Sequence, residues 1–188
     1  MTATAPTTQE FLLTIDDYYK MAEVGIIPQD ARVELLDGKL INMSPIKSLH
    51  SSKVDKLNKI LILELSSQYI IKSQNPIRLH KRSMPQPDLV VAKHYPHEYT
   101  EQHPEPEDIH LIIEVAQSSI YYDTGRKLKS YARAGIREYW VLDLNKYNIR
   151  VFRQPEGEQY LFEEIIGENG VAKCETLDFQ LTVEDIFG

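Results

Sequence analysis

LIIEVAQSSIYYDTGRKLKSYARAGIREYWVLD, residues 111–143, decides the fold. It is the core of a strand, a helix and a second strand. Ile109 to Ala116 is an apolar run of strand length. A helix over Asp123 to Ala134 follows, with Leu128, Tyr131 and Ala132 as its apolar stripe and Gly135 in the position that closes helices with a left-handed residue. Glu138 to Asp143, EYWVLD, is a second buried strand. Two strands separated by one helix pair in parallel through a right-handed crossover. One residue disturbs the pattern. Glu114 stands between Ile112, Ile113, Val115 and Ala116, where a carboxylate is costly to desolvate unless its charge is compensated.

Working outward, Pro85 and Pro87 introduce a strand at Asp88 to Ala92, and Pro76 to His80 is a further strand candidate. Val54, Leu57, Leu61 and Leu65 recur at helical spacing, which predicts a long amphipathic helix over Ser48 to Ile71. Asp37-Gly38 between two short apolar runs, RVELLDGKLINM, marks a hairpin. Thr14 with Asp17 starts a short helix reaching Glu23, and Thr182 caps a last helical turn. Tyr147 to Gln180 reads as further strands. His94 to Asp108 is a polar loop without apolar periodicity, expected to be mobile and dispensable for folding. Residues 1–10 read as a disordered tail. Residues 11–188 read as one domain: a mixed sheet with the long helix and the crossover helix packed on it.

The chain has 188 residues, 42% apolar and 26% charged, the composition of an ordinary soluble domain. A single cysteine, Cys174, rules out an internal disulfide framework and suits a reducing cytosol. No secretory signal is visible at the start, and no apolar run is long enough to span a bilayer, so a cytoplasmic location without a membrane is expected. Twenty-one basic and 28 acidic residues leave a net charge of -7, which opposes bulk attraction to a polyanion. Any contact with nucleic acid then needs a local basic patch, for which Lys81, Arg82, Arg126 and Lys129 are candidates.

Asp88 opens one strand just after a proline, and Glu114 lies in the next. If the strands are neighbours, the two carboxylates converge at one edge of the sheet. Converging carboxylates repel unless they share a proton or a cation. Oxygen donors with open positions suit Mg²⁺ or Mn²⁺, ions that activate water and stabilise the charge developing in phosphodiester hydrolysis. On the crossover helix, Lys127 projects within about 40° of Tyr131, at the border of the apolar stripe, whereas Arg126 and Lys129 point away. The bland alternatives are a strand-start carboxylate at Asp88, an ion pair of Glu114 with Arg78 or Arg82, and a snorkelling lysine at 127.

VELLDGKLINMSP, QPDLVV, IIEVAQSS, DTGRKLKSYARAGIREYWVLD and the final DIFG together resemble the Uma-two family of restriction endonucleases, part of the PD-(D/E)XK nuclease superfamily. The resemblance spans roughly Leu13 to Phe187. It implies a restriction-endonuclease-like α/β core of helix, three strands, helix and strand, with additional N- and C-terminal strands. It implies a Mg²⁺- or Mn²⁺-dependent endonuclease acting on DNA, with Pro87-Asp88 and Glu114 as the acidic motif elements. The motif lysine belongs at residue 116, which is Ala116. The resemblance implies that its role moves to Lys127, with Gln117 a weaker substitute. Asp88, Glu114 and Lys127 are then the catalytic set. Asp88 and Glu114 hold the metal, and Glu34 is a third ligand or a group behind the ligands. His50 matches a histidine at the start of the long helix. Tyr121 and Tyr122 are available to stack on bases, and duplex cleavage, which needs two cuts, is compatible with a homodimer. The missing lysine and the acidic balance favour the alternative of a non-catalytic nucleic-acid or protein binding module on the same fold.

Three other chemistries find no support. His94, His97 and His103 lie in an irregular loop, HEYTE lacks the second histidine of a zinc-protease helix, and no nucleophile elbow or phosphate-binding glycine loop is present.

Overall fold

The computed structural model describes residues 10–188. Its centre is a six-stranded sheet in the order β3-β4-β5-β6-β7-β8. The strands are β3 (Tyr69–Ser73), β4 (Leu89–Lys93), β5 (Ile109–Ala116), β6 (Glu138–Asp143), β7 (Asn148–Glu156) and β8 (Gln159–Ile166). Only β5 and β6 run parallel, in the register Glu114↔Val141, and every other neighbouring pair is antiparallel. The parallel pair read from residues 109–143 is therefore present.

Period-2 alternation assigns the faces of β5. Leu111, Ile113 and Val115 join a cluster under the long helix α2 (Ser48–Leu65), which contributes Val54, Leu57, Leu61 and Leu65. Ile112 and Ala116 join the opposite cluster with Tyr131, Tyr139 and Val141. Each fully buried leucine of this kind contributes about 1.5–3 kcal/mol. Glu114 shares the face of Ile112 and Ala116, beneath the crossover helix.

The crossover begins three residues earlier than its sequence pattern suggests. It comprises α3 (Ile120–Tyr122), a wider π turn (Asp123–Lys127) and α4 (Leu128–Arg133). Gly135 follows in the left-handed conformation, with φ +80°.

The strand expected at Pro76–His80 is displaced. The edge strand of the sheet is instead supplied by Tyr69–Ser73, part of which the helical periodicity assigns to the end of the long helix; α2 stops at Leu65. Ile70 and Ile71 are β-branched and find a full ladder against β4, from Tyr69↔Lys93 to Ser73↔Leu89. Pro76 has no N–H to offer a ladder, and in its segment only an isolated bridge, His80↔Ser83, forms. With that correction the order α2, β3, β4, β5, crossover, β6 is the helix, three strands, helix, strand implied by the resemblance.

The predicted hairpin forms as β1 (Val33–Leu36) and β2 (Lys39–Asn42), turning on Asp37 (φ 52°) and Gly38 (φ +77°). It stands apart from the main sheet. Gly38 N–H donates to Arg82 O, and Leu35 bridges to Met84, so the hairpin docks on the segment leading into Asp88. A side chain at 38 has no room, because its Cβ would lie 2.6 Å from Leu12 Cβ. The capping boxes at Thr14, on α1 (Ile15–Glu23), and at Thr182, on α5 (Val183–Phe187), are both present. The short hairpin β9 (Val171–Lys173) and β10 (Gln180–Thr182) is tied to the sheet by Arg153, which donates to buried Glu138 and to Lys173 O.

The loop after β4 is better anchored than its composition suggests. Tyr99 is buried and stacks on Tyr95, Lys93 pairs with Asp108 at 2.5 Å, and Arg78 N–H donates to Pro104 O. The tail expected over residues 1–10 lies outside the described residues except for Glu10, which is exposed and paired with Lys39. Among the described residues, no helix is long and apolar enough to cross a membrane.

Candidate functional site

Glu114, 3% exposed, points from β5 into a polar pocket beneath the crossover. Its Oε1 accepts from Lys127 Nζ at 2.8 Å and from the Tyr131 hydroxyl at 2.9 Å. Arg78 and Arg82 play no part; Arg78 lies 3.6 Å from Glu105. Asp88, the residue before β4, meets Glu114 across the strand pair. Asp88 N–H donates to Glu114 Oε2 at 3.3 Å, and Val115 N–H donates to Asp88 Oδ2 at 2.9 Å. The same Asp88 oxygen lies 3.1 Å from His50 Nε2, on the first turn of α2. Antiparallel pairing of β4 with β5 thus brings the two sequence-predicted acids together, with Lys127 beside them.

Glu34 is brought in by the first hairpin and is fully engaged. Its Oε1 accepts from the Tyr122 hydroxyl at 2.7 Å, its Oε2 accepts from Gln86 N–H at 2.9 Å, and Lys127 Nζ lies 3.6 Å from Oε2. Lys127, itself 3% exposed, is held between Glu114 and Glu34. Lys129 and Arg126 are exposed, as the helix phase predicts. Position 116 cannot take the lysine as easily: Ala116 is completely enclosed in the cluster with Ile112 and Val141.

Sequence reasoning missed Tyr131 and Asp123. Tyr131 was assigned to the apolar stripe, yet its hydroxyl reaches the site. Asp123 is buried at the same pocket. Its spacing of four from Lys127 was the available signal, since residues i and i+4 share a helix face. Over eight residues an α-helix drifts round by about 80°. The wider π turn rotates less per residue and offsets that drift, so Asp123, Lys127 and Tyr131 reach one site.

Asp123 and Lys127, though not Tyr131, line a cavity of about 320 Å³. Glu34, Asp88, Glu114 and Asp123 lie on its wall with His50, Gln117 and Lys127. Its other cations are Arg32 and Lys47, from the segments flanking the first hairpin. None of the four residues suggested as a basic rim lines it. Lys81 lines a separate cavity, and Arg82, Arg126 and Lys129 line neither.

Burial and neighbouring acids set the protonation of the site. Burial pushes the Glu114 carboxyl well above the usual carboxylate range, against the pull of Lys127, and Asp123 and Asp88 add to the rise. Burial likewise pushes Asp123 up to about 6, against Lys127 and a hydrogen bond with Ser119. Burial would raise Asp88 too, but His50, Val115 N–H and Lys127 outweigh it and hold Asp88 low. Burial would lower Lys127, but Glu114, Glu34 and Asp123 outweigh it, so the ammonium stays charged. The hydrogen bond to Asp88 raises His50. Carboxylates therefore outnumber the cations available to them, and the deficit is met by retained protons.

That surplus of oxygen donors fits a divalent cation at Asp88 and Glu114. Among the described residues, no three His, Cys, Asp or Glu side chains are gathered closely enough to hold an ion alone. Glu34, with both oxygens bonded elsewhere, is not gathered with the other two. Water and substrate oxygens would have to complete the coordination shell, as is usual for Mg²⁺.

The mixed sheet, flanking helices and crossover define a restriction-endonuclease-like α/β protein. The chain belongs to the Uma2 family, described as "Putative restriction endonuclease", whose sequence model matches residues 15–184. The crystal structure of "a putative nuclease belonging to DUF820" from Anabaena variabilis aligns with a TM-score of 0.70 at 14% identity, over 93% of this chain and 97% of that one. The type IIG restriction endonuclease BpuSI aligns with a TM-score of 0.41 at 19% identity, over 77% of this chain and 16% of that one. A search of curated proteins returns no match.

Proposed function

We propose that this chain is a divalent-metal-dependent nuclease that hydrolyses DNA phosphodiester bonds. The observation that carries the reading is the pairing of Asp88 with Glu114 across adjacent strands, with the charged, buried Lys127 2.8 Å from Glu114. Family membership supports the reaction class.

Asp88 and Glu114 would hold Mg²⁺ or Mn²⁺, which lowers the pKa of a bound water and offsets charge on the attacked phosphate. Asp88 is kept ionised and oriented by His50 and Val115 N–H. Lys127 supplies a fixed positive charge at the reacting phosphate, where a preorganised donor in a water-poor site stabilises the negative charge that builds up. Its ammonium stands in for the lysine absent at position 116. Glu34, with Tyr122 and Gln86 N–H on its oxygens, keeps Lys127 in place. Tyr131 fixes the Glu114 carboxylate, leaving Oε2 toward Asp88. A cytoplasmic location is part of this reading, and cutting both strands of a duplex would suit a homodimer.

The test is nicking of a supercoiled plasmid by the purified protein in Mn²⁺, with and without chelator. Activity should need the ion and vanish in Glu114→Gln, which keeps size but removes the ligand charge, while DNA binding survives. Calorimetry should show Mn²⁺ affinity lost in Asp88→Asn. Undiminished cleavage by the Glu114→Gln protein, or cleavage in excess chelator, would remove the proposal.

A further inference from the structure

Resting on the nuclease reading, we infer that the cavity takes a DNA strand whose bases are unpaired beside the cleaved phosphate. On this inference Tyr121 stacks on one such base, and Arg32 and Lys47 hold neighbouring phosphates. Three independent features point this way.

The first is depth. Glu114 and Lys127 are each 3% exposed, so the reacting phosphate has to enter the cavity. The second is the rim. Ile46 lines the cavity, 42% exposed, beside Lys47; Tyr121, 89% exposed, stands on α3 outside the lining but next to cavity-lining Tyr122. Tyr122 is committed to Glu34, but the Tyr121 ring carries no such bond. Aromatic faces bind base faces, and those are available only when the base is out of its duplex stack. The third is charge. At a net charge of -7 the chain gains little from bulk attraction to a polyanion, so affinity has to come from a few local cations and from stacking. Arg32 and Lys47 are the cavity cations not spent on Glu114. Arg32 also donates to Ser44 O at 3.0 Å, which fixes the loop leading to Lys47.

The experiment measures binding of three fluorescein-labelled DNAs in Mg²⁺: a single strand, a perfect duplex and a duplex with a splayed end. The protein is Glu114→Gln, with Asp88→Asn as a second inactive background should the first fail to fold. Unpaired and splayed DNA should bind roughly tenfold tighter than the perfect duplex. Tyr121→Ala should remove roughly five- to hundredfold from unpaired-strand affinity, and Tyr121→Phe should restore it. Arg32→Ala and Lys47→Ala should each flatten the salt dependence by about 0.7 in log–log slope, with Lys129→Ala leaving it unchanged. Equal binding of all three DNAs, or equal losses from Tyr121→Ala and Lys129→Ala, would overturn this inference while leaving the nuclease reading intact. No binding to any DNA would sink both.

Discussion

Lys127 Nζ donates a 2.8 Å hydrogen bond to Glu114 Oε1, and the same ammonium lies 3.6 Å from Glu34 Oε2. One helix lysine thereby joins a strand of the central sheet to a hairpin outside it. Its distance from solvent makes the charge fixed rather than diffuse.

Lys127→Ala should lower turnover about a hundredfold or more, the typical effect of losing a transition-state charge contact. It should also destabilise the metal-free protein by about 3–5 kcal/mol, because Glu114 is left buried and unpaired. Lys127→Met, which retains bulk, guards against collapse of the site. Lys129→Ala, 200° away on the helix, should affect neither. Plasmid nicking and denaturant melts measure both effects; equal losses from positions 127 and 129 would mean that the helix supplies only general charge.

Glu34→Gln should leave Mn²⁺ affinity nearly unchanged and lower kcat by about tenfold, with little change in KM, because it keeps the group's size but removes the negative charge 3.6 Å from Lys127 Nζ. Calorimetry beside steady-state kinetics reads this split. A loss of Mn²⁺ affinity as large as that of Asp88→Asn would make Glu34 a ligand.

Asp123→Asn should change how stability depends on pH. The Asp123 pKa is raised by burial to about 6 from 3.8, so the folded protein keeps a proton that the unfolded chain releases between those values. Its contribution is fully present below about pH 4 and is lost as pH rises through about 6, a penalty on the order of 3 kcal/mol at pH 8. The asparagine variant should therefore gain on wild type from pH 4 to pH 8 in melts with chelator. A difference that does not change with pH would refute the assignment, and Mn²⁺ should shrink the gap by favouring the ionised site.

Gly38→Ala should cost more than about 1 kcal/mol, because φ is +77° there and the new Cβ would meet Leu12 at 2.6 Å. Since this hairpin carries Glu34, activity should fall with stability, whereas Gly25→Ala, with open space around it, should show the backbone strain alone. Thermal melts and nicking rates of the two variants make the comparison.

The sequence by itself determined most of what depends on local periodicity, apart from the end of the long helix and the start of the crossover. The parallel pair followed from two buried strands, a helix stripe and Gly135. The hairpin followed from Asp37-Gly38, and the two capping boxes from Thr14 and Thr182. Alternation along Ile109–Ala116 placed Glu114 on the face of Ile112, and 100° per residue placed Lys127 toward the sheet. Only the tertiary structure decided who meets whom. Ile70 and Ile71 extend a helical pattern until β4 offers them a ladder, which moved the strand expected at Pro76–His80. The Tyr122 hydroxyl finds Glu34 across 88 positions of chain, Tyr131 turns from core residue to hydrogen-bond donor, and the basic rim expected from Lys81, Arg82, Arg126 and Lys129 gives way to Arg32 and Lys47. Periodicity fixes the direction in which a side chain points, because it follows from backbone geometry. The partner waiting there is set by packing between distant segments, and so is the dielectric environment that decides whether a carboxylate keeps its charge.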